Sequence, residues 1–340
     1  MTCDPGHADC NADEKDGCEV DLNTPANCGA CGANATSCTN GLAGAPPEEL
    51  FDCGTVAEGL AVDATTLYVM CDGALQSTPK AGGAKTKLTE GEWTYADAGL
   101  QLDGGFLYWA WRSTAKTGRV RRMPVAGGPV EDVITGVNPG SNVVVHAGVA
   151  YVVDADFDGA RRGHVVDSTG RVLLECDPSA SLAALGEVLY VSDRFGLQSV
   201  GFDGTDAKKL GSGAGIVASN GSYLAIAGSA RYSTYHPGTG FDSGGPLGLR
   251  VGGMMFGTGD DVAWARGIAH FDGSWTGGRA ILAGIDLKSR QVMVRASFDT
   301  SAGLWTTGRT IGPMAQDADY VYFGASGSLL KPATISRVRK

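Results

Sequence analysis

Beyond residue 60 the chain alternates between short apolar bursts and polar turns. Seven bursts carry an aromatic residue: Leu67-Tyr68-Val69, Phe106-Leu107-Tyr108-Trp109, Val149-Ala150-Tyr151-Val152, Val188-Leu189-Tyr190-Val191, Tyr223-Leu224-Ala225-Ile226, Val262-Ala263-Trp264-Ala265 and Tyr320-Val321-Tyr322-Phe323. They are too short for the stripe of a helix, and Gly, Asp and Ser bound them, so they predict buried β-strands. Another short strand precedes most of them, as in Gly59-Leu60-Ala61-Val62.

A turn follows each of the first six. It reads Pro79-Lys80-Ala81-Gly82-Gly83, Pro124-Val125-Ala126-Gly127-Gly128, Asp167-Ser168-Thr169-Gly170, Phe202-Asp203-Gly204, Asp242-Ser243-Gly244-Gly245 and Asp286-Leu287-Lys288-Ser289. Successive turns end 45, 42, 34, 41 and 44 residues apart. Gly supplies the positive φ of a tight hairpin. Four strands in roughly 40–45 residues is the period of a β-propeller blade. The expected fold is all-β: a seven-bladed β-propeller over residues 50–340, with a small disulfide-rich module over 1–40 and a linker over 41–49. The seventh unit runs out after its third strand, at Ile335–Lys340. The extra strand over Leu50–Val56 is therefore expected to complete that blade and close the ring, removing free sheet edges.

Composition agrees with this and adds a compartment. Gly counts 52 of 340 residues, and Asp outnumbers Glu by 27 to 10, which favours turns over helices. No apolar run approaches the roughly 20 residues of a membrane helix, and no signal peptide is expected within this chain. Residues 1–38 carry seven acids and one Lys, and the remainder carries 30 acids and 26 bases. That near-balance argues against a nucleic-acid partner, which needs a basic stripe. Six of the nine cysteines, Cys3, Cys10, Cys18, Cys28, Cys31 and Cys38, crowd the first 38 residues. A segment with so few large apolar residues needs covalent staples, so three disulfides in an oxidising compartment are expected, with 15 pairings open. Only one Cys-x-x-Cys is present, which argues against zinc. Gly32 stands where covalent haem would need His, and no nucleotide cofactor is expected. Cys53, on the closing strand, and Cys71, just after a strand of the first blade, are expected to pair. Cys176 is left as a free buried thiol.

Two resemblances follow from these residues. Asp9-Cys10-Asn11, Asp16-Gly17-Cys18-Glu19 and Asn27-Cys28-Gly29-Ala30-Cys31-Gly32 resemble a cysteine-rich module of secreted myxobacterial proteins. It implies an extracellular or outer cell-surface location, and 17 Arg against 10 Lys suits a GC-rich bacterial genome. Phe106-Leu107-Tyr108-Trp109 with Pro124-Val125-Ala126-Gly127-Gly128 resembles YWTD and NHL-like propeller repeats, although Ala110 and Trp111 stand where that repeat carries an acid. The resemblance implies a scaffold used mostly for binding, occasionally for hydrolase or lyase chemistry. Asp242-Ser243-Gly244-Gly245-Pro246-Leu247 also resembles the nucleophile motif of trypsin-like proteases. That chemistry needs an Asp-oriented His base. None of His7, His146, His164, His236 and His270 stands in the family's upstream Ala-Ala-His-Cys context, and Phe241 replaces its Gly. The repeat explains the segment better, since Gly244-Gly245-Pro246 aligns with Gly127-Gly128-Pro129, a hairpin turn in blade two.

In a four-stranded blade the second-to-third and fourth-to-first connections share one face, and the glycine turns lie on the other. Residues 112–117, 154–162, 229–240, 270–278 and 325–334 read as long second-to-third loops, the usual place for function on a rigid ring. They carry the expected ligand-binding residues Arg112, Arg231, Tyr232, Tyr235, His236, Phe271 and Trp275, whose aromatic and polar mixture suits a glycan, peptide or extracellular protein. Calcium is a candidate cofactor at two places. Asp154, Asp156 and Asp158 alternate before Gly159, in a pattern resembling the Asp-x-Asp-x-Asp-Gly loops of extracellular propellers; pairing with Arg161 and Arg162 is the alternative. In the head, Asp9, Asn11 and Asp13 alternate before Asp16 and Glu19. The leading reading is a secreted or surface binding propeller. A lyase or hydrolase, with His236 or His270 as base and Arg112 or Arg231 stabilising an anion, is the runner-up. A subunit of an extracellular polymer, self-associating through the head, is the third.

Overall fold

The structure is a computed structural model. It describes the chain apart from residues 1–2, 4–5, 12, 14, 30, 33–34, 36, 40, 92–98, 112–117, 141, 156–161, 212–214, 229–230, 247–249, 257–259, 270–278, 289, 300–310 and 326–331. Seven four-stranded antiparallel sheets form a propeller. Blade 1 is Ala57–Val62, Thr66–Cys71, Ala74–Pro79 and Thr86–Thr89. Blade 2 is Gln101–Asp103, Phe106–Trp111, Gly118–Pro124 and Glu131–Val137. Blade 3 is Val144–His146, Val149–Ala155, Gly163–Asp167 and Val172–Cys176. Blade 4 is Ser181–Leu185, Val188–Asp193, Gly196–Gly201 and Lys208–Gly211. Blade 5 is Ile216–Ser219, Leu224–Ala227, Arg231–His236 and Gly240–Pro246. Blade 6 is Arg250–Phe256, Val262–Ala269, Arg279–Asp286 and Gln291–Asp299. Blade 7 is Ile311–Gln316, Tyr320–Ala325 and Ala333–Arg339, with Glu48–Gly54 as its fourth strand.

The first strands pack on one another around the ring, from blade 1 through blade 7 and back. The core lies between blades. Tyr68, Tyr108, Tyr151, Tyr190, Trp264 and Tyr322 occupy the middle of the second strand in six blades, and each is buried. Tyr68 packs with blade 2's Leu107 and Trp109, and Tyr151 with blade 4's Leu189 and Val191. Blade 5 substitutes Ala225, packed with Ala218 and blade 6's Ala263. A ring buries about 150–250 Å², so this repeated aromatic is the main apolar cement between sheets. Side chains add stitches. Asn142 of blade 3 donates to the Leu182 carbonyl (2.8 Å) and accepts from the Leu182 N–H (3.1 Å) in blade 4. The ladder joining third and fourth strands has a register shift in all seven blades, which bends each outer edge and discourages edge-to-edge pairing.

Closure is as expected, with the strand starting two residues earlier. Phe51 pairs with Ile335 and Asp52 with Thr334. The Cys53–Cys71 disulfide crosses the seam between blades 7 and 1, and Lys80 meets Asp317 across it at 2.6 Å. The head carries the disulfides Cys3–Cys18, Cys10–Cys31 and Cys28–Cys38, choosing among the open pairings. Leu42–Ala43, within the stretch read as linker, pairs with Cys38–Thr39. It also packs on the outer strand of blade 6, where Arg295 donates to the carbonyls of Ala43 and Arg339 (2.5 Å to the latter).

Two expectations in blade 5 are corrected. Residues 231–236 form the third strand rather than a loop. Tyr232 and Thr234 are buried while Ser233 and Tyr235 are half-buried, which is the alternation of a strand between packed neighbours. Consequently Asp242-Ser243-Gly244-Gly245 lies in the fourth strand, and the hairpin turn is Pro237-Gly238-Thr239. Gly238 and Gly240 supply the positive φ, at 92° and 89°. Gly244 serves a different need: a Cβ there would strike the Tyr232 carbonyl oxygen and ring.

Candidate functional site

The strand order puts the C-terminal ends of the second strands and the starts of the third strands on one face, together with the described fourth-to-first connectors. Asp, which commonly caps tight backbone turns, anchors three of these connectors. Each such Asp stands within one residue of the end of a second strand. Asp72 accepts the Thr55 N–H at 3.0 Å and the Val56 N–H at 2.9 Å, as well as the Thr55 hydroxyl. Asp154 accepts the Asn138 N–H at 2.7 Å, and Asp193 accepts the Asp177 N–H at 3.0 Å. Burial pushes the Asp72 carboxyl upward, but the bonds from Thr55 and Val56 outweigh it and hold the pKa low. The repeated clasp fixes the connectors to the rigid ends of the blades.

The sector best defined on this face is the second-to-third turn of blade 4. Asp193 Oδ1 accepts the Phe195 N–H at 2.8 Å and so sets the turn. Phe195 is left 56% exposed, which is unusual for so large an apolar ring. Arg194 lies over it with its guanidinium carbon 4.7 Å from the ring centroid, and Arg194 Nε pairs with Asp177 at 2.8 Å. Asp177 is buried, and burial raises its pKa; bonds from the Ser179 hydroxyl and N–H and the charge of Arg194 lower it further than burial raises it. Cys176 beside it is the free, buried thiol expected, pushed up to about 12 by burial and by Asp193, Asp177 and Glu175, so it is a poor nucleophile. A second arginine–aromatic group sits in blade 2, where Arg119 and Arg121 lie 5.1 and 5.4 Å from the Trp111 ring centre and share Asp132.

Among the described residues, those expected from sequence do not converge as one cluster. Arg112, Asp156, Asp158, Phe271 and Trp275 lie outside the described residues. The same strand carries Arg231, Tyr232, Tyr235 and His236, but spreads them between the two faces. Arg231 is exposed at the loop-face end, and Tyr232 is core. Tyr235 and His236 reach the opposite end, Tyr235 against Phe241 (5.1 Å) and His236 stacked on Tyr223 (4.5 Å). Their placement in a mouth loop is corrected: a strand of six residues spans the blade. In the head, oxygens of Asp9, Asn11 and Asp13 accept the N–H groups of Asn11, Asp13 and Lys15, and Glu19 accepts from Cys10. These are local turn bonds of the kind Asp and Asn favour. Among the described residues no group of three or more His, Cys, Asp and Glu is arranged to hold a metal ion, and no helix is long and apolar enough to cross a membrane.

Sequence reasoning missed the Arg194–Phe195 pair because its turn is short, and length was the guide to function. The clasp was readable as Cys71-Asp72, Val153-Asp154 and Ser192-Asp193, an Asp recurring where the second strand ends.

Comparison with known proteins gives the architecture only. No family model matches the chain, and no curated protein matches it by sequence. Among solved structures, a chain in "Crystal Structure of Mitotic Checkpoint Complex" is similar at TM-score 0.59 and 14% identity, over 87% of this chain and 96% of that one. The computationally designed Ika8 protein is similar at 0.52 and 12%, over 86% of this chain and 100% of its own. Apo AztD from Citrobacter koseri is similar at 0.52 and 14%, over 83% and 89%. At such identities the likeness establishes the fold alone: this chain is a seven-bladed β-propeller preceded by disulfide-bonded cysteines.

Proposed function

We propose that this protein is a secreted or cell-surface binding propeller that captures a glycan, peptide or extracellular protein on the face carrying its second-to-third connections. The observation that carries the reading is Phe195, a ring left exposed on a turn that Asp193 and Asp177 hold in place. An aromatic presented on a rigid support loses little entropy on binding and buries much apolar area. The four disulfides favour an oxidising, extracellular setting.

The test is a glycan array and an extracellular-peptide array probed with the oxidised full chain, run beside a general hydrolase panel. Binding that Phe195→Ala weakens about tenfold or more, with no turnover, supports the reading; loss of a buried Phe contact is worth about 1.5–3 kcal/mol. Binding indifferent to Phe195, or turnover in the hydrolase panel, refutes it.

A further inference from the structure

We infer that the Phe195 sector, continued onto blade 5, takes an acidic polysaccharide, with Arg194 and Arg231 pairing with sugar carboxylates beside the Phe195 ring. This deepens the binding role and rests on it.

Three observations converge. Arg194 spends Nε on buried Asp177 and lies over Phe195, with about half of its side chain left exposed (51%). A guanidinium held over a ring keeps its planar N–H edge presented for an incoming anion. Arg231 begins the third strand of the neighbouring blade 5 on the same face; it is exposed, and among the described residues it has no ion pair. Blade 5 is poor in competing acids: no Asp or Glu occurs between Asp206 and Asp242, a stretch holding Arg231 in a chain of net charge −10. The acids at the end of this sector are already engaged: Asp177 and Asp193 are buried and hydrogen-bonded, and Glu175 pairs with Arg162 at 3.4 Å. Exposed cations therefore stand where the nearby carboxylates are buried or already paired. An exposed ring beside them suits stacking by a sugar, which an acidic polymer supplies in repeat along with its charge.

Polygalacturonate, its methyl-esterified form and polyglutamate are titrated into the oxidised full chain by calorimetry. Polygalacturonate is expected to bind, more weakly as salt rises, and the esterified polymer is expected to lose most of that affinity. Arg231→Gln and Arg194→Gln should each weaken binding about tenfold, as loss of a charge-assisted hydrogen bond does. Lys288→Gln, on the opposite face, should leave it unchanged. Arg231→Gln touches no described partner, so it stays informative if Arg194→Gln loosens the turn. The inference is overturned by no binding of polygalacturonate, by equal binding of the esterified polymer, by indifference to both arginine substitutions, or by polyglutamate binding in its place. Phe195-dependent capture of a neutral glycan or peptide without polygalacturonate binding would defeat this inference and leave the binding role standing. Absence of any Phe195-dependent capture would defeat that role.

Discussion

The seam between blades 7 and 1 is where the ring depends on a strand from the other end of the chain, and the Cys53–Cys71 disulfide bridges it. Replacing both by Ala removes a cross-link between residues 18 apart in sequence. In the chain-entropy account a loop of that size is worth about 3 kcal/mol. Ala is the appropriate replacement because both cysteines are buried beside Leu60, Val69 and Ile335, where an unpaired hydroxyl would add its own penalty. With a specific unfolding entropy of about 2 cal/mol/K per residue, a propeller of this length should melt roughly 5 °C lower. Calorimetry of the oxidised parent and the double variant measures this. Hydrogen exchange of Glu48–Gly54 against Ser181–Leu185 then locates it, since blade 4 is far round the ring. The expected result is faster exchange in the closing strand first. A melting temperature within about 1 °C of the parent would refute the reasoning, because the cross-link would then carry far less than loop closure implies. Faster exchange spread evenly over both blades would place the loss in the whole ring instead of the seam.

The same seam titrates. Burial raises the Asp317 carboxyl, but Lys80, the Tyr320 and Asp319 N–H groups and the Tyr322 hydroxyl hold it down to about 2. A depressed carboxylate stabilises the fold above its unfolded pKa near 4 and loses that contribution as pH falls toward 2. Asp317→Asn should therefore cost about 2 kcal/mol in urea unfolding at pH 7, with the difference from the parent narrowing between pH 4 and 2. In blade 5, Gly244→Ala should destabilise by about 1–3 kcal/mol, since its Cβ would enter the Tyr232 carbonyl and ring. Gly238→Ala, in open space at φ 92°, should cost only about 1 kcal/mol in the same assay. Calcium added to chelator-treated protein should shift the melting temperature little at the head, where turn bonds already engage one side-chain oxygen each of Asp9, Asn11 and Asp13. A saturable rise would assign the ion to an acid-rich loop.

The blade count, the closing strand and the Cys53–Cys71 pair were all legible in the sequence. The reason is local: each blade is a meander of neighbouring strands, so its period, its Gly turns and its central aromatic are written consecutively. Blade 5 shows where locality misleads. Gly244 and Gly245 resemble a hairpin turn, yet Gly244 exists for its approach to Tyr232, a contact set by strand pairing. Arg231, Tyr232, Tyr235 and His236 were legible as a mixed aromatic group, but only the strand decides that its two ends open on opposite faces. The head's density of cysteines dictated disulfides, while folding chose the partners. Tertiary structure alone decided the proposed site. Phe195 is exposed, Arg194 lies over it and Asp177 is withdrawn because neighbouring blades meet there, and no spacing along one strand records which residues a second blade will cover.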